Sequence, residues 1–217
     1  MLMLQFIPDL TIILAFALAA FVIAITPGPD MALQLSRAIN YGRAHGLASM
    51  AGAMSGIVVH TTLVAFGISV LIVAAPPLFL ALKIAGAVYL LWLAFQAVTQ
   101  GGGIRIAEAA RRPPTVWQSY LTGVGINLLN PKVVLFFMTF LPQFVSASDP
   151  AASQKLFFLG AEFILVSIPS GVLTVLAAGW LVEAFRRTRW VERALNWSFA
   201  AIFTAFAATI LTAQARH

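Results

Sequence analysis

Along the 217 residues, six apolar runs alternate with short polar stretches, at positions 10–26, 47–74, 78–98, 121–145, 156–182 and 195–211. At about 1.5 Å of rise per helical residue, each is of the length that crosses a hydrocarbon layer of about 30 Å. The pattern predicts an all-α integral membrane protein, a bundle of six transmembrane helices. Residues 1–10 contain no Lys or Arg, so the first run lacks the positive flank of a signal peptide and is expected to be retained as a helix.

The polar stretches are unequal in charge. The first, third and fifth carry Arg37, Arg43, Arg105, Arg111, Arg112, Arg186, Arg187, Arg189 and Arg193, whereas the opposite side has Lys155 and Arg216, with Lys83 near the start of the third run. The positive-inside rule then places the arginine loops in the cytoplasm and both termini outside, in a multi-pass membrane protein. Trp117, Tyr120, Trp180, Trp190 and Trp197 fall near the cytoplasmic ends of the runs, as an aromatic belt would. A linker with Gly101-Gly102-Gly103 and Pro113-Pro114 divides a single domain, 1–217, into halves of about 1–100 and 115–217. Three spans per half require that halves sharing one fold be inverted relative to each other.

Two runs are broken by proline. The first ends in Ile25-Thr26-Pro27-Gly28-Pro29-Asp30, and the fourth contains Leu129-Asn130-Pro131-Lys132-Val133. Gly28 before Pro29, and Asn130 before Pro131, read as an N-cap followed by proline at the first helical position, so each break starts a new helix. Such an end presents free N–H groups and a partial positive charge that attract carboxylates. Asp30 offers negative charge to an ammonium, and Lys132 offers positive charge to a carboxylate or pairs with Asp30. Opposite poles at paired helix breaks suit a zwitterionic amino acid, which makes Pro27, Gly28, Pro29, Asp30, Asn130, Pro131 and Lys132 the candidate substrate-binding residues. The simpler alternative for the first break is a helix that stops at the interface, with Asp30 capping a surface helix. For the second, Lys132 lies about 16 Å beyond Leu121 along a helix, too deep for easy snorkelling.

Two further groups are candidates for proton coupling. His60 shares a face of the second run with Ser49, Gly52, Gly56 and Gly67, where Gly52 and Gly56 form a small-xxx-small contact for another helix. A proton relay and a histidine satisfied by an interhelical hydrogen bond are both open for it. Glu162 lies six residues into the fifth run, near the outer interface, and Pro169, flanked by Ser167, Ser170 and Gly171, is expected to kink that helix.

Composition sharpens this picture. Hydrophobic residues make up 61% of the chain and charged ones 9%, which excludes a soluble domain of this size. The net charge of +6 is accounted for by the loop arginines and gives no reason to expect nucleic acid. There are no cysteines, no cluster of histidines and carboxylates at metal-ligand spacing, and no nucleophile elbow, so neither a metal, a cofactor nor an enzymatic reaction is expected. The glycine triplet lacks the lysine and preceding strand of a nucleotide loop.

Three motifs resemble the LysE family of amino-acid exporters, in its homoserine/threonine (RhtB-type) branch. They are Thr26-Pro27-Gly28-Pro29, the Lys83-Ile84-Ala85-Gly86-Ala87-Val88-Tyr89-Leu90 stretch, and Asn127 through Asn130-Pro131-Lys132 to Phe140-Leu141-Pro142-Gln143-Phe144. The resemblance covers essentially the whole chain. It implies a small inner-membrane secondary transporter that expels amino acids or close derivatives, driven by the proton gradient or membrane potential, with Pro27, Gly28, Pro29, Asn130, Pro131 and Lys132 as its motif residues. Asp30 and Glu162 are added on physical grounds alone. Where relatives show glycines in the last span, this chain has Ser198-Phe199-Ala200-Ala201 and Ala205-Phe206-Ala207. Glycine faces also allow a homodimer, and an oligomeric channel or membrane scaffold is the competing reading.

Overall fold

The computed structural model describes residues 6–74, 112–146 and 149–187, with scattered helical positions between 84 and 99 and between 194 and 208. The described regular elements are all helical: α1 (Leu10–Ile25), α2 (Pro29–Tyr41), α3 (Arg43–Ala74), α4 (Val116–Leu129), α5 (Pro131–Leu135), α6 (Ala152–Leu176) and α7 (Ala178–Arg187). A π-turn at Phe136–Phe140 and a 3₁₀ turn at Leu141–Phe144 continue α5. The third and sixth expected spans, the 101–111 part of the linker and Trp190 lie outside the described residues, apart from those scattered positions.

Two helices are long and apolar enough to cross a membrane, over Arg43–Gly67 and Ala152–Leu176. Two bent pairs reach that length when each is taken as one span: α1 with α2, bent by 51°, and α4 with the Pro131–Phe144 segment, bent by 53°. The described residues therefore hold two to four candidate spans. The surface agrees with a lipid environment. On α1, Leu10, Leu14, Leu18 and Phe21 are exposed on one side while Phe16, Ala19, Ala20 and Ile23 are buried on the other, and an apolar stripe of that kind has no place against water.

Several element ends differ from the sequence expectation. The fourth run starts at Val116, five residues before Leu121, because Thr115 and Gln118 form a reciprocal capping box: the Thr115 hydroxyl accepts from Gln118 N and the Gln118 side chain accepts from Thr115 N. The earlier start puts Lys132 deeper, beyond a 14-residue α4 about 21 Å long. The fifth run begins at Ala152 and breaks at Ala177, and α6 continues through Pro169 as one helix. Glu162 is consequently ten residues into α6, about 15 Å along it, and not six. α2 is no surface helix either: it packs on α3, α4 and α6 and buries Gln34, Leu35 and Ser36. Gly42, with φ 92°, makes the turn from α2 into α3, in a region of backbone space that disfavours any side chain.

Among the described elements, α3 and α4 share the most extensive contact. A Cβ at Gly52 would strike the Tyr120 carbonyl, one at Gly123 the Ser49 carbonyl, and one at Gly56 the Asn127 side chain. The small-xxx-small face expected at Gly52 and Gly56 thus receives α4, and the glycine that answers it is Gly123. Gly67 departs from that face and meets nothing within 4 Å among the described residues. Beyond this seam, Phe16, Phe136, Phe137, Phe140 and Phe163 form an aromatic core with successive ring centroids 4.9 to 5.9 Å apart. Ala200 and Ala207 are buried in the same cluster, so alanine fills the positions noted above in the last run.

Candidate functional site

Both breaks form as their proline patterns dictate, and each supplies what the other lacks. At the first, α1 ends with Thr26 N and the Thr26 hydroxyl both donating to the Val22 carbonyl, leaving later carbonyls without helical partners. Lys132 answers them: its Nζ donates to Ile23 O at 3.2 Å and to Thr26 O at 2.9 Å. A cation at a helix C-terminus also opposes the negative end of the helix dipole.

The second break is held by Asn130. Its Oδ1 accepts from Lys132 N at 3.1 Å, capping α5. Its Nδ2 donates to Asp30 Oδ2 at 2.9 Å, and Asn127 Nδ2 donates to the same oxygen at 3.1 Å. Asp30 in turn lies in the first turn of α2, where a negative charge is favoured. The lysine of one break thus closes the other's helix end, and the asparagines of the second fix the aspartate of the first.

Lys132 and Asp30 have different partners, and no direct ion pair joins them among the described residues. This corrects the alternative in which the two neutralise each other by contact. Gly28 has an extended backbone (φ −173°) that any residue adopts, so its reason is space: a Cβ there would stand 3.0 Å from Lys132 Nζ. Pro27 and Pro29 flank it, with Pro29 at the start of α2 and Pro131 at the start of α5.

A cavity of about 50 Å³ lies between the breaks and α6, lined by Asp30, Lys132, Asn127, Gln34, Ser167 and Thr174 among others. It has room for a few waters or one small head group. Several buried polar atoms nearby lack a hydrogen-bond partner, among them Asp30 Oδ1 and Ser167 Oγ, both on residues lining the cavity. Asn127 Oδ1 is also unpartnered, but it is pressed against Gly56 on α3.

Of the nine residues singled out from sequence, Asp30 and Lys132 line this cavity, and Asn130 braces it from behind. Pro27, Gly28, Pro29 and Pro131 shape the breaks without lining it. His60 is buried one layer away, its Nε2 3.3 Å from the Asn127 carbonyl and its ring stacked on Phe137 at 5.8 Å. Because a carbonyl only accepts, Nε2 carries the hydrogen in that bond. Glu162 does not line the cavity, and its Oε2 is buried without a hydrogen-bond partner.

Gln34, Ser167, Ser170 and Thr174 line the cavity and went unnoticed as site residues. Helical spacing held the signal: Gln34 is four residues after Asp30, and 167, 170, 171 and 174 recur at three, four and seven. That spacing makes a polar stripe on an otherwise apolar helix.

Comparison with known proteins adds independent findings. The family described as LysE type translocator matches residues 21–214. A homoserine/homoserine lactone efflux protein of Salmonella typhimurium is 30% identical, over 94% of this chain and 96% of its own length. An uncharacterized membrane protein of Vibrio cholerae is 29% identical over 95% of this chain and 100% of its own. A leucine efflux protein of Klebsiella pneumoniae is 26% identical over 93% and 95%. No solved structure matches.

Proposed function

The chain belongs to the LysE type translocator family, a family of multi-pass membrane transporters and not of enzymes, and from that premise we propose that it exports amino acids or close derivatives from the cytoplasm. The observation that carries the site is the mutual bracing of two helix breaks around a polar cavity, with Lys132 closing the end of α1 and Asp30 held by Asn127 and Asn130. Broken helices that meet inside a bundle are where transporters bind small polar solutes.

In this reading the bent pairs are the first and fourth of six spans in two inverted halves, in the inner membrane with both termini outside. Substrate binds at the breaks formed by Pro27, Gly28, Pro29, Asp30, Asn130, Pro131 and Lys132. Transport proceeds by alternating access as one half rocks against the other. The proton gradient or the membrane potential drives it, and Glu162, an intramembrane carboxylate with an unpartnered oxygen, is the group assigned to proton coupling. His60 holds the Asn127 carbonyl and has a positioning role.

The test is efflux from proteoliposomes loaded with labelled amino acids, leucine and homoserine among them, with and without an imposed proton gradient. Saturable efflux that falls in Asp30→Asn supports the exporter and its site. Absence of flux for every amino acid, from protein shown to be folded, would overturn the reading.

A further inference from the structure

The cavity between the breaks has a polar side and an apolar side, and its lining residues differ in what can move. Asp30, Asn127 and Lys132 are tied to other elements by hydrogen bonds. On the apolar side, Ile23, Ile57 and Val133 are β-branched and at most 3% exposed, so close packing and a stiff χ1 hold them in place. Phe163 is equally buried, with the Phe136 and Phe137 rings 5.4 and 5.1 Å from its own. Met31 on α2 and Met54 on α3 line the same side but are only partly buried, and a methionine side chain is unbranched with three rotatable bonds.

A third methionine backs them. Met50, one turn before Met54 on α3, sets its sulfur against Gly171 of the cavity wall, 2.7 Å from where a Cβ would stand. Three of the chain's six methionines are thus gathered around one small cavity. Thioether side chains are the adaptable part of an apolar core, able to fill space that changes shape.

The size of the cavity makes such adaptation necessary. Its volume is about 50 Å³, against the roughly 150 Å³ in which a protein interior holds one benzene ring. An amino acid whose charged groups reach the breaks finds no place there for a side chain as large as leucine's unless the wall yields. The branched residues and the stacked ring cannot yield without unpacking their neighbours, whereas a methionine has only to change rotamer.

We propose that Met31 and Met54 are specificity-determining residues, a yielding wall whose displacement makes room for the substrate's side chain. The inference rests on the exporter reading and goes beyond it: the range of side chains carried is set by these methionines and not by the charged groups at the breaks.

The test is kcat/KM for efflux from proteoliposomes loaded singly with labelled alanine, homoserine, leucine or phenylalanine. All four share the same ammonium and carboxylate, so ratios between them read the side chain alone. Met54→Ala enlarges the cavity and is expected to raise the leucine-to-alanine and phenylalanine-to-alanine ratios by about tenfold, the discrimination that a methylene provides in an apolar pocket. A substrate that the wild type excludes for its size is expected to be carried by this variant. Met31→Leu and Met54→Leu conserve volume and therefore fold, but leucine is branched and stiffer, so each is expected to lower the same ratios, again by about tenfold. The opposite signs separate a yielding wall from a general loss of stability.

Variants that scale all four substrates alike, or that leave the ratios at their wild-type values, overturn the inference while leaving the exporter intact. A wild type that carries none of the four, from protein shown to be folded, overturns the exporter reading and this inference with it.

Discussion

Replacing Gly123 by alanine puts a methyl group against the backbone carbonyl of Ser49, on the seam where α3 and α4 meet. A carbon and a carbonyl oxygen approach no closer than about 3.3 Å without cost, and the shortfall here is on the order of 1 Å. Neither side can rotate away, since one atom is fixed to α4 and the other belongs to the α3 backbone, so the helices must part. A gap approaching 1 Å forfeits a quarter to a half of each dispersion contact along the seam. Overpacking in cores costs about 1–3 kcal/mol, and a backbone clash belongs at the upper end, about 3 kcal/mol.

Gly125, two positions along the same helix, is the internal control. Among the described residues a Cβ there meets nothing within 4 Å, so alanine gains its helix propensity over glycine, about 0.5–1 kcal/mol. For a chain of this length a kcal/mol corresponds to about 2–4 °C in Tm. Thermal unfolding of the two variants in one detergent, followed by tryptophan fluorescence, should show Gly123→Ala lowered by about 6–12 °C and Gly125→Ala level or slightly raised. Equal Tm values for the two would refute the claim that glycine sets the separation of α3 and α4. Gly52 meets the same seam from the other side, so Gly52→Ala combined with Gly123→Ala should cost less than the sum of the two, because helices already parted have less contact to lose.

Other outcomes follow from the breaks and the loops. Lys132→Met leaves the Ile23 and Thr26 carbonyls without their partner, at about 1–3 kcal/mol for each group left unsatisfied, and denaturant unfolding should show the loss whether or not substrate is present. Glu162→Gln should abolish the stimulation of efflux by an imposed proton gradient while leaving downhill exchange, and retained stimulation would remove Glu162 from the coupling role. At the start of α6, the Lys155 ammonium holds the Asp149 carboxyl, in the turn before the helix, below its usual range. Because that group is depressed in the folded state, its contribution is present above about pH 4 and is lost as pH falls through the folded value. The stability difference between wild type and Lys155→Met, measured by thermal unfolding across that window, should therefore shrink on acidification.

What the sequence revealed was local. Proline after Gly28 and after Asn130 dictated two new helix starts, and the Gly52/Gly56 spacing marked a face for close approach, because these follow from backbone geometry within a few residues. The capping box at Thr115 was equally local but was hidden by the polar residues preceding Leu121, which made the apolar run look shorter than the helix. Partner identity was not local. Lys132 is separated by 106 residues from Thr26, whose carbonyl it holds, and no property of either segment read alone names the other.

That non-local exchange bears on how the two breaks can move. Lys132 is a side chain of α5 bound to carbonyls of α1, while Asp30, a side chain of α2, is bound by the asparagines of α4 and its cap. A rotation that draws one break away from the other strips both sets of bonds together, so neither helix pair can rearrange with the other left in place. Gly28 provides the point of contact, since it lets the lysine pass within a Cβ's reach of the α1–α2 turn. Gly28→Ala crowds the lysine by only a few tenths of an ångström at a flexible end, so folding should survive while the Lys132 bonds to α1 lengthen. If the breaks move as one unit, this substitution changes the maximal rate of efflux with little effect on substrate affinity. A change in affinity alone, with the maximal rate preserved, would show that the breaks form a static binding surface and that movement lies elsewhere in the bundle.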